Sequence, residues 1–144
     1  MSAERVVVFG ATGFVGSAVS TALAERGLTV VAVPTPRLPG MQPALAQPFV
    51  RSQSSQLEEL VAACEGARAV VNAAGVAEAQ STAISELVAA NSAIPGLIAR
   101  AAKQAGVARF VQVSSAAVQG RLPRLDESTQ TVCFSAYARS KDLG

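Results

Sequence analysis

The chain has 144 residues, of which 50% are hydrophobic and 15% are charged. This composition indicates one globular domain with a buried core. The net charge of +2 is small and the basic residues are scattered, which excludes the basic stripe of a nucleic-acid-binding protein. Since the chain has no His and its two Cys, Cys64 and Cys133, do not form a CxxC motif, we expect neither a metal site nor a His-based triad.

The N-terminal segment does not have the pattern of a signal peptide or a membrane span. Residues 1–5 are polar, and glycine interrupts the apolar run that follows after a few residues. A helix that crosses the bilayer needs about 20 mainly apolar residues. We therefore expect a cytoplasmic protein without a membrane partner.

Short β-branched segments alternate with longer segments of helical period along the chain. This alternation predicts βαβ units, and hence an α/β fold with a doubly wound parallel sheet. Five strands in the spatial order 3-2-1-4-5 are predicted at residues 5–9, 29–33, 48–51, 69–72 and 109–113.

Apolar residues at helical spacing predict the helices between these strands. The first two helices carry the stripes Val15, Val19, Leu23 and Leu57, Leu60, Val61, Cys64. A third helix is predicted from about Ser81 to Gln104. Residues 34–48 hold five of the seven prolines, and we expect them to form a loop because proline disrupts a helix interior.

Residues 10–16 read GATGFVG, directly after the first predicted strand and at the start of the first helix. Glycines in this context let the backbone approach a dinucleotide pyrophosphate at the helix N-terminus. A tight turn without a ligand is the alternative, and the strand-turn-helix context favours the dinucleotide. The predicted cofactor-binding residues of this turn are Gly10, Thr12, Gly13, Phe14, Val15 and Gly16.

The segment after the second strand bears on the choice between NAD and NADP. A carboxylate there commonly holds the ribose 2′-hydroxyl of NAD, but the chain has no Asp or Glu between Glu25 and Glu58. The nearest charge is Arg37, and a guanidinium suits a 2′-phosphate. NADP is therefore slightly favoured over NAD, the alternative being that Arg37 is a solvated loop residue.

A second contact with the cofactor is predicted at the end of the fourth strand. Gly75 allows a close approach of the backbone, and ordinary turn residues are the alternative interpretation. The residues expected to pass the cofactor are Asn72, Ala73, Ala74 and Gly75.

Residues 137–141 read YARSK, which places a phenol and an ammonium four residues apart on one helical face. Tyr137 is the only Tyr of the chain, and a neighbouring ammonium favours the phenolate. An exposed helix pair is the alternative. Ser114 and Ser115 close the fifth strand, at the carboxyl edge where open α/β sheets bind ligands.

Asn91 lies on the apolar stripe of the third helix, seven residues after Ile84 and three before Ile94. A polar group there must find a partner. Pro95 has no N–H to donate to the carbonyl of Asn91, so we expect a kink. The freed carbonyl then serves as an acceptor, or Pro95 merely bends the helix over the sheet.

In their order and spacing, the motifs resemble the short-chain dehydrogenase/reductase superfamily, in its extended, NAD-dependent epimerase/dehydratase type. The strings that carry the resemblance are GATGFVG at 10–16, VNAAG at 71–75, VSSAAVQG at 113–120, LDE at 125–127 and YARSK at 137–141. The resemblance implies one NAD(P)-binding Rossmann domain over residues 1–144.

The resemblance also implies roles for individual residues. Tyr137 would be the general acid/base, and Lys141 would favour its ionisation and hold the nicotinamide ribose. Ser115 would orient the substrate oxygen, with Ser114 as the neighbouring candidate. Asn91 would support a water link to Lys141.

The implied activity is that of an oxidoreductase that transfers a hydride at a carbonyl or secondary alcohol, as a reductase or an epimerase/dehydratase. The expected substrate is a small molecule such as a sugar nucleotide or a ketone, and a homodimer is one option for assembly. Asp126 and Glu127 either contact this substrate or form a solvated acidic loop.

Proteins of this family normally continue for about as long again after the Lys. We therefore expect the chain to lack the C-terminal substrate region. The competing hypothesis is a non-catalytic dinucleotide-binding module, or an inactive fragment of such an enzyme.

Overall fold

Four strands form a parallel sheet in a computed structural model. The structure describes residues 4–36, 53–77 and 83–144, with the backbone alone over 53–55. The strands are β1 (Arg5–Phe9), β2 (Thr29–Val33), β3 (Ala69–Asn72) and β4 (Arg109–Gln112). Their order is β2-β1-β3-β4, as predicted for these four, and the parallel α/β fold is confirmed. The strand predicted at 48–51 lies outside the described residues.

The register of the sheet aligns the ends of its strands. Phe9 pairs with Val33 on one side and with Asn72 on the other, and Asn72 pairs with Gln112. Because all four strands are parallel, the loops that follow them leave from one edge. This carboxyl edge therefore brings together the glycine turn and the segments after β3 and β4.

The helices cover both faces of the sheet. They are α1 (Phe14–Glu25), α2 (Gln53–Cys64), α3 (Ile84–Val88), α4 (Ile94–Gln104) and α5 (Ala136–Asp142), with a π-helical turn at Ala89–Ala93 and a 3₁₀ turn at Ala116–Val118. Alternate residues of a strand point to opposite faces. Val7 and Phe9 accordingly pack against α2 and α4, whereas Val6 and Val8 pack against α1.

The core on the α2/α4 side contains Leu60, Cys64, Ile94 and Ile98, all at most 5% exposed. Complete burial of a Leu or Ile side chain contributes about 1.5–3 kcal/mol. Leu57 and Val61 are partly buried against this core, so the predicted stripe of α2 is confirmed. Burial raises the pKa of the Cys64 thiol. Cys64 is a core residue, as its position on the stripe suggested.

The stripe predicted for α1 was wrong at Val15, which is 44% exposed. The inward face of α1 consists of Gly16, Val19 and Leu23. Gly16 is the buried residue of α1 and lies against the carbonyl of Gly10. The helix therefore presents Gly16, rather than Val15, to the sheet. Val15 therefore faces outward beside the turn.

The third predicted helix is not one regular α-helix. Within the described residues it begins at Ile84, and α3 passes through the π-helical turn into α4. Pro95 sits at the start of α4 and has no N–H. The predicted disturbance before Pro95 therefore takes the form of a π-helical turn that contains Asn91.

Two further differences concern the C-terminal part. The helix that carries Tyr137 spans seven residues, and β4 ends at Gln112 rather than at Val113, where the predicted strand ends. Across 4–36, 53–77 and 83–144, the structure contains no helix with the length and apolarity needed to cross a membrane.

Candidate active site at the carboxyl edge of the sheet

The glycine turn holds β1 and α1 together through backbone contacts. Gly10 has a φ of +74°, a region that favours glycine. A Cβ atom on Gly10 would lie 2.6 Å from the nitrogen of Ala74, and one on Gly16 would collide with the carbonyl of Gly10. Two of the three glycines are thus required by the fold itself.

The third glycine of the turn has a different environment. Gly13 has extended backbone (φ −77°, ψ 171°) and precedes α1 without a side-chain cap, and a Cβ there would meet only the carbonyl oxygen of Gly10, at 3.3 Å. Thr12, Gly13, Phe14 and Val15 are exposed, Phe14 to 95%. The first N–H groups of the 12-residue α1 therefore face an open surface, which fits a pyrophosphate.

The segment after β3 lies between the glycine turn and α5. Ala73 donates its N–H to the carbonyl of Phe9 at 3.0 Å. The buried Asn72 donates to Oε1 of Gln112 at 2.8 Å and accepts from the N–H of Ala74 at 3.2 Å. The buried Asn72 side chain thus holds the turn by hydrogen bonds, whereas Ala73, Ala74 and Gly75 lie nearer the surface.

Gly75 is required by a close approach from α5. A Cβ atom there would lie 2.8 Å from Oδ1 of Asn91 and 2.9 Å from Nζ of Lys141. The close neighbours of Gly75 are thus protein side chains, and the predicted contact of this backbone with the cofactor stays a prediction. Lys141 also donates to the carbonyl of Val113 at 3.3 Å, and its partial burial lowers the pKa of the ammonium.

Tyr137 lies one helical turn before Lys141 on α5 and is half-buried. Ser135 caps this helix by accepting the N–H of Ala138 at 3.0 Å. Because α5 packs against the 3₁₀ turn that follows Ser115, the three residues assigned to catalysis by resemblance lie in one region.

Asn91 is completely buried, and its side chain has the partners that its position on the stripe required. Its Oδ1 accepts from the N–H of Val76 at 2.9 Å. Its Nδ2 donates to the carbonyl of Val76 at 2.9 Å and to Oγ of Ser140 at 3.0 Å. The carboxamide therefore joins the segment after β3 to α5.

Ser115 borders a cavity of about 530 Å³ beyond β4 and caps the 3₁₀ turn by accepting the N–H of Ala117 at 3.2 Å. Ser114, Asp126 and Glu127 also line the cavity, whereas Tyr137 and Lys141 do not. The hydrogen bonds from Ser128 lower the pKa of the Asp126 carboxyl. In the described part of the chain, the lining contains acids, hydroxyls and amides but no Lys or Arg.

Two buried polar residues of this region escaped the sequence analysis. Gln119 is 7% exposed; it donates to the carbonyl of Asp126 at 2.8 Å and accepts the N–H of Asp126 at 3.1 Å. Ser140 is completely buried inside α5. The only signal in the sequence is its spacing, because a residue three positions after Tyr137 lies near the same face of a helix.

Some predicted features remain without a structural description. Arg37 lies outside the described residues. Over residues 4–36, 53–77 and 83–144, no group of three or more His, Cys, Asp or Glu side chains has a geometry that would hold a metal ion.

Comparison with known proteins agrees with this geometry. The short-chain dehydrogenase/reductase superfamily protein from Agrobacterium tumefaciens with bound NAD is 27% identical, with a TM-score of 0.73, and the match covers 97% of this chain and 42% of that one. MoeE5 in complex with UDP-glucose and NAD is 28% identical, with a TM-score of 0.74 and coverage of 96% and 46%.

The UDP-N-acetylglucosamine 4-epimerase from Bacillus cereus is 22% identical, with a TM-score of 0.74 and coverage of 96% and 45%, and shows the fold alone. The chain thus spans less than half the length of these three proteins. No curated protein matches it. The sequence profile of the NAD dependent epimerase/dehydratase family matches residues 6–144, and the chain therefore belongs to this family.

Proposed function

We propose that the chain binds a nicotinamide dinucleotide and contributes Ser115, Tyr137 and Lys141 to hydride transfer at a carbonyl or secondary alcohol. The observation that carries this proposal is the meeting of three segments at one edge of the sheet. The glycine turn packs on Ala74, and Gly75 packs on Lys141. A dinucleotide bound across this edge would extend from the N-terminus of α1 toward α5.

The residues around the glycine turn would hold the cofactor. The N–H groups at the start of α1 suit the pyrophosphate because the helix dipole favours negative charge there. The backbone of Asn72–Gly75 would pass the middle of the dinucleotide, and the Lys141 ammonium would hydrogen-bond the nicotinamide ribose. When bound, the nicotinamide supplies the hydride acceptor or donor.

The chain's own groups would handle the proton. The Tyr137 phenol would give a proton to, or take one from, the substrate oxygen, since a positioned acid or base typically contributes about 10²–10⁴-fold to the rate. The Lys141 ammonium, one turn away, would favour the phenolate by its charge. The Ser115 hydroxyl would hydrogen-bond the same substrate oxygen and so orient it.

A sugar nucleotide is the proposed substrate class. MoeE5, which is 28% identical, is in complex with UDP-glucose in one structure. The cavity beside Ser115 offers carboxylates, hydroxyls and amides, which are suitable partners for the hydroxyl groups of a sugar. The cytoplasmic location and a homodimer stay predictions.

The slight preference for NADP gains no support from the comparisons, because the similar structures hold NAD. It depends on Arg37 and on the lack of Asp and Glu between Glu25 and Glu58, and it stays a prediction. Comparing the dissociation constants of NAD and NADP, with and without Arg37→Ala, decides it. Tighter NAD binding that the substitution leaves unchanged would show that Arg37 plays no part.

Calorimetry with NAD and NADP tests the cofactor site. Gly13→Val should weaken binding at least about 100-fold, because the branched side chain would occupy the pyrophosphate position. Extended backbone and open surroundings should keep the melting temperature within about 2 °C of the wild-type value. Gly96→Val on the exposed side of α4 is the matched control and should bind normally; no binding by the folded wild-type chain would refute the proposal.

Turnover of sugar nucleotides tests the catalytic part. Tyr137→Phe should lower the turnover number by about 10²–10⁴ with nearly unchanged cofactor affinity, whereas Lys141→Ala should reduce both. If Tyr137→Phe leaves an observed turnover unchanged, the assigned triad is wrong. Binding of NAD without any turnover would favour the non-catalytic binding module.

A further inference from the structure

Ser140 connects α5 to the rest of the site through one buried hydroxyl. Its Oγ donates to the carbonyl of Tyr137 at 2.7 Å and accepts from Nδ2 of Asn91 at 3.0 Å. The backbone carbonyl of Ser140 also accepts from Oγ of Ser92 at 2.6 Å. Ser140 is thus bonded to the π-helical turn at two points.

The bond to Asn91 extends this connection to the segment that is proposed to pass the cofactor. The same carboxamide bonds both backbone groups of Val76, and its Oδ1 lies against Gly75. A rotation of α5 about its axis would break the bond between Ser140 and Asn91. The hydroxyl therefore relates the orientation of α5 to the position of Gly75 and Val76.

A rotation of α5 would affect Tyr137 and Lys141 differently. Tyr137 has a rigid ring with two side-chain torsions, so its hydroxyl position follows the helix closely. Lys141 has a long flexible side chain and a separate bond to Val113.

We propose that Ser140 is a positioning residue, which sets the location of the Tyr137 phenol relative to the cofactor segment through Asn91. A merely local role is the alternative, because Ser in helices often bonds the carbonyl three or four residues earlier. The two roles differ in what Ser140→Ala changes. A local role predicts a small loss of stability alone, whereas positioning predicts displacement of Tyr137.

The first test uses fluorescence, since Tyr137 is the only Tyr and the chain has no Trp. Quenching by acrylamide reports how exposed this one ring is. Ser140→Ala should increase the quenching constant about twofold, as expected for a site that is no longer held by its supporting residues. Ser140→Thr, which keeps the hydroxyl, should restore the wild-type value.

Ala138→Gly is the matched control, because it weakens the same helix at a buried position without removing the bond to Asn91. It should lower the melting temperature at least as much as Ser140→Ala and leave the quenching constant near the wild-type value. Equal quenching in Ser140→Ala and the wild-type chain, or an equal rise in Ala138→Gly, would overturn the proposal.

The second test rests on the proposed function and uses kinetics. Ser140→Ala should lower the turnover number about 10–100-fold, because small displacements of a catalytic group have large effects. The KM for the dinucleotide should change by less than about threefold, since Lys141 can adjust. If the wild-type chain shows no turnover, the proposed activity fails, and the fluorescence result still decides whether Ser140 positions Tyr137.

Discussion

The glycine turn and the region around α5 place their groups at the same edge of the sheet by different means. At the turn, Gly10 and Gly16 allow backbone to touch backbone, and any side chain would prevent the contact. Around α5, the buried side chains of Asn91 and Ser140 join segments that are far apart in the chain. The glycine turn depends on the absence of side-chain atoms, whereas the region around α5 depends on the polar side-chain atoms of Asn91 and Ser140.

This difference predicts different responses to substitution. Where glycine allows backbone to contact backbone, an added methyl should cause a large loss of stability, because the packed backbone cannot move aside. Removal of a buried polar side chain should cause a moderate loss of stability, equal to the cost of leaving its hydrogen-bond partners unsatisfied. The following substitutions separate the two regions.

Gly16→Ala should have the largest effect. The new methyl would collide with the carbonyl of Gly10, so we expect a loss of more than about 4 kcal/mol, visible in urea unfolding. Gly96→Ala is the control, because Gly96 has no neighbour within 4 Å and Ala favours a helix by up to about 1 kcal/mol. A soluble Gly16→Ala chain of wild-type stability would contradict the close contact.

Asn91→Leu should have the next largest effect. The change leaves the N–H and carbonyl of Val76 and the Ser140 hydroxyl without their partner, at a cost of about 3 kcal/mol, which denaturant unfolding can measure. The exposed Ser85 on α3 provides a control, and Ser85→Ala should stay within about 0.5 kcal/mol. Similar results for both variants would mean that the buried carboxamide contributes nothing.

Gln119→Ala should act more locally. Without its hydrogen bonds to Asp126, the acidic loop should open more often and expose the bond after Arg124 to trypsin. We expect cleavage there to be about tenfold faster, with a global stability loss of about 1 kcal/mol. Gln130→Ala, in the exposed wall of the same cavity, should be cleaved at the wild-type rate; equally fast cleavage of both would exclude a role for Gln119.

Lys141→Met should have the smallest effect, and its pH dependence is the informative part. Burial lowers the pKa of the Lys141 ammonium below its ordinary value of 10.5, so the unfolded chain binds more protons in the interval between the two values. The wild-type chain therefore gains stability as the pH rises through that interval.

Because Met has no proton to lose, the stability of Lys141→Met relative to the wild type should fall over the same interval. A shift of about 2 °C in the difference of melting temperatures is expected. A difference that stays constant from neutral pH to pH 10.5 would show that burial does not penalise the ammonium.

The comparison of the two regions also explains what could be predicted. The glycine turn, strands β1 to β4 and α2 follow from local patterns, because φ preferences and apolar periodicity act within a few residues. The exposure of Val15 could not be predicted, since it depends on how Gly16 meets Gly10. Asn91 could be assigned to the interior, but its partners Val76 and Ser140 lie 15 and 49 residues away.

The sequence by itself therefore determined the parallel α/β fold, the position of the glycine turn and the position of the YARSK motif. The tertiary structure alone decided which polar groups hold α5 in place, how closely Gly75 meets Lys141, and that Gln119 fixes the acidic loop. The physical reason is range. Backbone preferences and apolar periods are local, whereas a buried hydrogen bond depends on which distant group the completed fold places within about 3 Å.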